Sequence, residues 1–166
     1  MKTLDLNEAQ KYCIFECNDN WFGFSSLYIR GVIPRPEITA LPHSDPVVLG
    51  VAHVQNEFLP VISLRALLDV QYESTDNQQQ MMIMSNNQLS WGLLIDRAIG
   101  LSELEVSISM LPDHEDMWSK VVTGSASYSN QVLQVLDPDA VYAYAQNLLK
   151  RYWNDSDRFE FESTIS

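Results

Sequence analysis

Apolar residues along this chain alternate with polar ones in short runs, and the runs come in pairs separated by turn formers, which is the pattern of β-hairpins. Gln10 to Cys17 and Asn20 to Phe24 predict one hairpin around Asn18-Asp19-Asn20. Leu49 to Val54 and Glu57 to Ile62 predict a second around Gln55-Asn56, because Asn tolerates the left-handed backbone a tight hairpin turn needs. Met81 to Ser85 with Ser90 to Ile95, and Val121 to Tyr128 with Gln131 to Leu136, predict two more. A further strand is expected near Leu104 to Ile108.

Between these hairpins the pattern changes. Ser25 to Ile29 reads as one helical turn or a bend, and Pro34, Pro36 and Pro42 then favour an extended surface connection. Ser63 can cap a short helix over Leu64 to Leu68 through its hydroxyl. Gln71 to Gln80 loses apolar periodicity and predicts a mobile connector; Pro112 to Met117 is acidic enough to begin a helical turn. One longer helix is written plainly: Asp137 as cap, Pro138 at the first position, and Val141, Ala145, Leu148, Leu149 and Tyr152 along one stripe. Residues 153–166 are mostly polar or acidic and predict a disordered tail.

The second and fourth hairpins repeat each other. At an ungapped offset of 74, Gly50, Ala52, Asn56, Leu59, Val61 and Ala66 meet Gly124, Ala126, Asn130, Leu133, Val135 and Ala140, and the caps Ser63 and Asp137 coincide. A looser echo at an offset of 69 relates Cys13 to Gly31 with Met82 to Gly100. Shared turn, strand parity and cap argue for duplication. The expected product is mostly β: a single domain over residues 10–152, made of two β-barrel subdomains at approximately 20–75 and 81–136, with terminal segments packing across.

Composition narrows the function. Of 166 residues, 46% are hydrophobic, enough for a core, while 10 Lys and Arg stand against 22 Asp and Glu. The net charge of −12 repels nucleic acid and anionic lipid alike. No apolar run approaches the roughly 20 residues of a spanning helix, and Met1 to Lys11 lacks the apolar centre of a secretory signal, so a cytoplasmic protein without membrane insertion is expected. Cys13 and Cys17 lie on one predicted strand about 13 Å apart and predict buried thiols, not a disulfide.

Candidate chemistry is sparse. No nucleophile, phosphate-loop or metalloprotease motif occurs, and no cofactor is expected. The cluster Asp113-His114-Glu115-Asp116 fits a solvated helix start, and Asp96 beside Arg97 fits a local ion pair. A small β-barrel enzyme or ligand carrier using Asp96, His53 or His114 is the rival from another class, and a cleft with convergent carboxylate and imidazole groups would favour it.

The segment Gly50-Val-Ala-His-Val-Gln-Asn-Glu-Phe-Leu-Pro-Val-Ile-Ser-Leu64 resembles the CheW-like adaptors of bacterial chemosensory arrays. Tyr12 to Phe24, Pro36-Glu-Ile-Thr-Ala-Leu-Pro42, and Trp91-Gly-Leu-Leu-Ile-Asp96 with Ile99-Gly100 agree in order, so the likeness runs from about residue 10 to 150. It implies two five-stranded, SH3-like barrels around a shared core, no catalysis, and two partners: the cytoplasmic tip of methyl-accepting chemoreceptors and the regulatory domain of a CheA-type histidine kinase. Receptor contact is implied in the groove between barrels, at Ile29, Gly31, Val32, Val54, Gln55 and Asn56. Kinase contact is implied on the first barrel, at Val51, His53, Phe58 and Leu59.

This chain departs from the pattern in one place. The family usually carries Arg-Gly where Gln55-Asn56 stands, and commonly Glu at the position of Gly31, a pair of charges near the receptor groove. Both are missing here. The resemblance therefore implies an adaptor whose fold survives while its partner choice has changed, in flagellar chemotaxis or in a pilus-type or other sensory pathway.

Overall fold

The computed structural model describes residues 11–42, 47–68, 78–108 and 117–148. Ten strands form in chain order: β1 Lys11–Cys17, β2 Asn20–Ser25, β3 Ile29–Pro34, β4 Val48–Val54, β5 Glu57–Ser63, β6 Gln80–Ser85, β7 Ser90–Ile95, β8 Arg97–Glu103, β9 Val122–Tyr128 and β10 Gln131–Leu136. All four predicted hairpins are present. β3 was not expected as a strand, and the strand expected near Leu104 to Ile108 ends instead at Glu103, with Ser107 making one isolated bridge to Ser125. Of the connector expected over Gln71 to Gln80, residues 71–77 lie outside the described residues and Gln80 instead begins β6. Residues 112–116 of the acidic segment and the tail at 153–166 also lie outside them, while Met117 opens a short 3-10 turn, Met117–Lys120.

Three hairpin turns place both central residues at positive φ: Asn18 and Asp19, Gln55 and Asn56, Ser129 and Asn130. This is the turn whose twist matches the flanking strands. Ser63 Oγ accepts from Ala66 N at the short helix Leu64–Leu67, and Asp137 Oδ1 accepts from Asp139 N at the helix over 138–148, so both predicted caps act. Each cap satisfies a first-turn N–H that the helix itself cannot.

The strands divide into two five-stranded sheets, β3-β6-β7-β5-β4 and β8-β1-β2-β10-β9. In each, the chain leaving the first strand returns to pair with the last, Thr39 with Val51 and Ser107 with Ser125, which curls the sheet into a barrel. We call these barrel one and barrel two. The sequential halves do not coincide with them. Barrel one takes β3, β4 and β5 from the first copy and β6 and β7 from the second; barrel two takes β1 and β2 from the first and β8, β9 and β10 from the second.

Register shows that this exchange is symmetric. The parallel pair Val61 with Gly92 in barrel one corresponds at both offsets to Val135 with Gly23 in barrel two. Gly31 opposite Ile83 likewise corresponds to Gly100 opposite Ile14. Gly50 and Gly124 recur for a steric reason. A Cβ at Gly50, where φ is +146°, would collide with the Thr39 backbone, and one at Gly124 would stand 2.6 Å from the Ser107 carbonyl oxygen. Only glycine lets the closing segment approach so near.

Exchange also explains the core. Strand parity sends Met81 and Ile83 into barrel one with Ala52, Leu59 and Val61, while Met82 and Met84 face a cluster shared by both barrels. That cluster includes Phe15, Phe22 and Phe24 of β1 and β2, Trp91 of β7, and Val141 and Ala145 of the 138–148 helix. β6 and β7 are therefore apolar on both faces, and neither barrel can keep its core without strands from the other copy.

Candidate functional site

Of the residues named for receptor contact, Ile29, Gly31 and Val32 lie on β3 around a bulge, and Val54, Gln55 and Asn56 lie at the β4–β5 turn. Ile29 pairs with Met84 and Gly31 with Ile83, so Arg30 is an extra residue opposite no partner. A bulge bends its strand and re-aims the side chains around it. Here it lets Ile29 and Val32, three apart, pack against the same shared cluster, while Arg30 turns toward the β4–β5 turn. Gly31 sits beside them with nothing within 4 Å of where a Cβ would be.

Arg30 ties three elements together. Its Nη1 donates to Glu57 Oε2 at 2.7 Å and to Ser90 Oγ at 3.1 Å, and its Nη2 reaches Gln55 Oε1 at 3.5 Å. The pair is half open, the side chains of Arg30 and Glu57 keeping 38% and 45% of their surface. Gln55 and Asn56 are exposed at the turn. Val54 is half-buried, its side chain packed against the interior cluster of barrel one.

Sequence reasoning missed Arg30 and Glu57. The turn and Gly31 carry no charge, yet an ion pair stands one residue away on each side, with Arg on β3 and Glu after the turn. Relative to what the resemblance implies, the polarity is inverted. No local window contains both residues, which are 27 apart in the chain. Only the β3 bulge and the β4–β5 hairpin together bring them into contact.

On the outer face of barrel one, His53 and Phe58 stand opposite each other on β4 and β5, their rings stacked at 4.6 Å and 24°. Phe58 is 74% exposed. Val51 is half-buried, paired with Pro60 and bridged to Thr39. Leu59 is a correction: at 2% exposure it lies inside barrel one, because successive side chains of a strand face opposite ways and Phe58 takes the outer side. It offers no surface to a partner.

Among the described residues, the polar groups named for the rival chemistry, Asp96 and His53, make separate contacts. Asp96 Oδ1 accepts from Arg65 Nε at 2.7 Å and its Oδ2 from the Asn18 backbone N–H at 2.9 Å, so both oxygens join the short helix to the β1–β2 turn. Arg97 pairs with Glu16, not with its neighbour Asp96. His53 is stacked on Phe58, and His43 and His114 lie outside the described residues. Cys13 and Cys17 are buried and free; burial raises both thiols, and with the Asp96 carboxylate nearby Cys17 is pushed up to about 12. Among the described residues no helix is long and apolar enough to cross a membrane.

These features define a duplicated two-barrel β protein with an ion pair beside the bulged strand β3 and an exposed aromatic pair on the outer face of barrel one. The family profile described as CheW-like domain matches residues 11–146, spanning both barrels, and the chain belongs to that family. It is 24% identical over 142 residues to the chemotaxis protein CheW of Thermotoga maritima, covering 85% of this chain and 93% of that protein. The CheW of Bacillus subtilis is 23% identical over 145 residues, covering 84% and 90%. The crystal structure of the scaffolding protein TtCheW from Thermoanaerobacter tengcongensis superposes with a TM-score of 0.67 at 16% identity, over 78% of this chain and 85% of that one, a likeness of fold.

Proposed function

We propose that this chain is a non-catalytic adaptor that couples chemoreceptor tips to a CheA-type histidine kinase at receptor arrays on the cytoplasmic side of the membrane. The observation that carries it is the CheW-like match across residues 11–146, which takes in both barrels and the helix that packs on their common core. Receptor tips dock along β3 at Ile29, Gly31 and Val32, with Gln55 and Asn56 at the edge. The kinase regulatory domain meets barrel one at Val51, His53 and Phe58, where an exposed aromatic ring supplies the low-entropy apolar area typical of interface anchors.

The inverted Arg30–Glu57 pair favours a second form of the same function, a diverged scaffold of a pilus-type or other sensory pathway that keeps the kinase and takes a different receptor. Co-sedimentation of the chain with receptor tips and with the kinase regulatory domain, separately and together, tests both. The adaptor reading expects the kinase to sediment with receptors only when the chain is added. Kinase binding without any receptor binding would leave the diverged scaffold, and binding to neither would remove the assignment.

A further inference from the structure

The internal symmetry gives each residue of the Arg30 cluster a counterpart in barrel two, and the two sets differ in kind. The bulge on β8 falls at Ile99, between Gly100 and Ala98, where the bulge on β3 carries Arg30. The repeat places Trp21 where Ser90 stands, Ser129 where Gln55 stands and Gln131 where Glu57 stands, with Tyr128 at the position of the neighbouring Val54. In barrel two, Ile99, Trp21 and Tyr128 pack onto the barrel interior, with Trp21 and Tyr128 rings 6.1 Å apart. There the bulge position is apolar and half-buried, while Ser129 and Gln131 at the turn are exposed and uncharged.

The fold therefore does not require charge at this place. A half-exposed ion pair contributes only about 0–1 kcal/mol to stability and orders two long side chains to do so, so burial of an aliphatic side chain would serve stability at least as well. Arg30 is nonetheless held by three acceptors, and its fork is unevenly used. Nη1 makes two short bonds, whereas among the described residues Nη2 has only the 3.5 Å contact with Gln55. A guanidinium can hold a second carboxylate on such an edge without releasing the first. Ile29 and Val32 flank it with apolar surface.

We infer that Arg30, aimed by the β3 bulge and held by Glu57, selects receptor tips that place a carboxylate beside an apolar side chain. This rests on the adaptor function proposed above. On a chain of net charge −12 a carboxylate-bearing helix is repelled over most of the surface, so one oriented guanidinium fixes where it can sit.

The test exchanges the charges. The double variant Arg30→Glu with Glu57→Arg keeps an ion pair in place while presenting the opposite sign, and Arg30→Ile installs the residue that barrel two uses. The probes are cytoplasmic tip fragments of the chemoreceptors encoded in the same genome, with the kinase regulatory domain as a control. Wild type is expected to bind at least one tip, more weakly as salt rises, and both variants to lose about tenfold or more of that affinity while melting near the wild-type temperature and binding the kinase domain unchanged. Either folded variant binding the tip as tightly as wild type overturns the inference. If wild type binds the kinase domain but no tip, receptor coupling itself fails, a distinguishable result.

Discussion

Arg65 holds the Asp96 carboxylate at 2.7 Å across the junction where β7 of barrel one runs into β8 of barrel two. The second Asp96 oxygen takes the Asn18 N–H, so one side chain fastens the short helix, the β1–β2 turn and the end of β7. The pair is partly buried, the side chains keeping 14% and 21% of their surface. Removing Asp96 takes a close carboxylate from the partly buried Arg65 and frees a backbone donor, which is costlier than the pair's net worth. Asp96→Ala is expected to cost about 2–4 kcal/mol in urea denaturation. Arg97→Ala, which removes a side chain that is itself 64% exposed, should cost less than about 1 kcal/mol.

The three glycines of barrel one and its copy separate by the space above them. Gly50→Ala and Gly124→Ala push a methyl into the closing backbone at Thr39 and Ser107. Each is expected to lose about 2–4 kcal/mol, Gly50→Ala the more because its φ is +146°. Gly31→Ala meets open space and should stay within about 0.5 kcal/mol, all three read by urea denaturation.

Cysteine chemistry reports the integrity of the shared core. With Cys17 pushed up to about 12 and Cys13 raised as well, both by burial, neither thiol ionises in the native state near neutral pH. A thiol reagent at pH 8 should react with neither until urea is added, then with two per chain. Linkage gives the sign of the pH effect: unfolded thiols ionise from about 9, whereas the native ones hold their protons. Stability is thus retained below pH 9 and falls as pH rises toward about 12.

How much of this was legible depended on sequence distance. The hairpin turns, Ser63 and Asp137 as caps, and the repeat through Gly50 and Gly124 are local or ungapped patterns, and each has its counterpart in the fold. The exchange of strands was not legible, because pairing Val61 with Gly92 joins segments of different copies in parallel and leaves no period-two trace of its partner. β3 escaped because it ends on Pro34 with Pro36 close behind, and its bulge breaks the alternation between Ile29 and Val32. The site suffered in the same way. Phe58 is exposed as a contact residue must be, whereas Leu59 beside it faces inward, which its match with Leu133 signals because the repeat keeps core positions. Arg30 and Glu57 meet only in three dimensions.

Phe58 and Leu59 are adjacent and face opposite ways, which separates stability from recognition. Leu59→Ala opens the barrel-one core and is expected to cost about 2–5 kcal/mol. Phe58→Ala leaves a side chain that was 74% exposed and should change stability by less than about 0.5 kcal/mol.

The most direct measurement of the adaptor account is therefore a titration of the kinase regulatory domain against wild type and Phe58→Glu at low and high salt, with melting temperature recorded for each. Wild-type binding that is only weakly salt-dependent, and its loss by about tenfold or more in a Phe58→Glu variant that melts like wild type, is the predicted result. Absence of wild-type binding, or equal binding by Phe58→Glu, would contradict it.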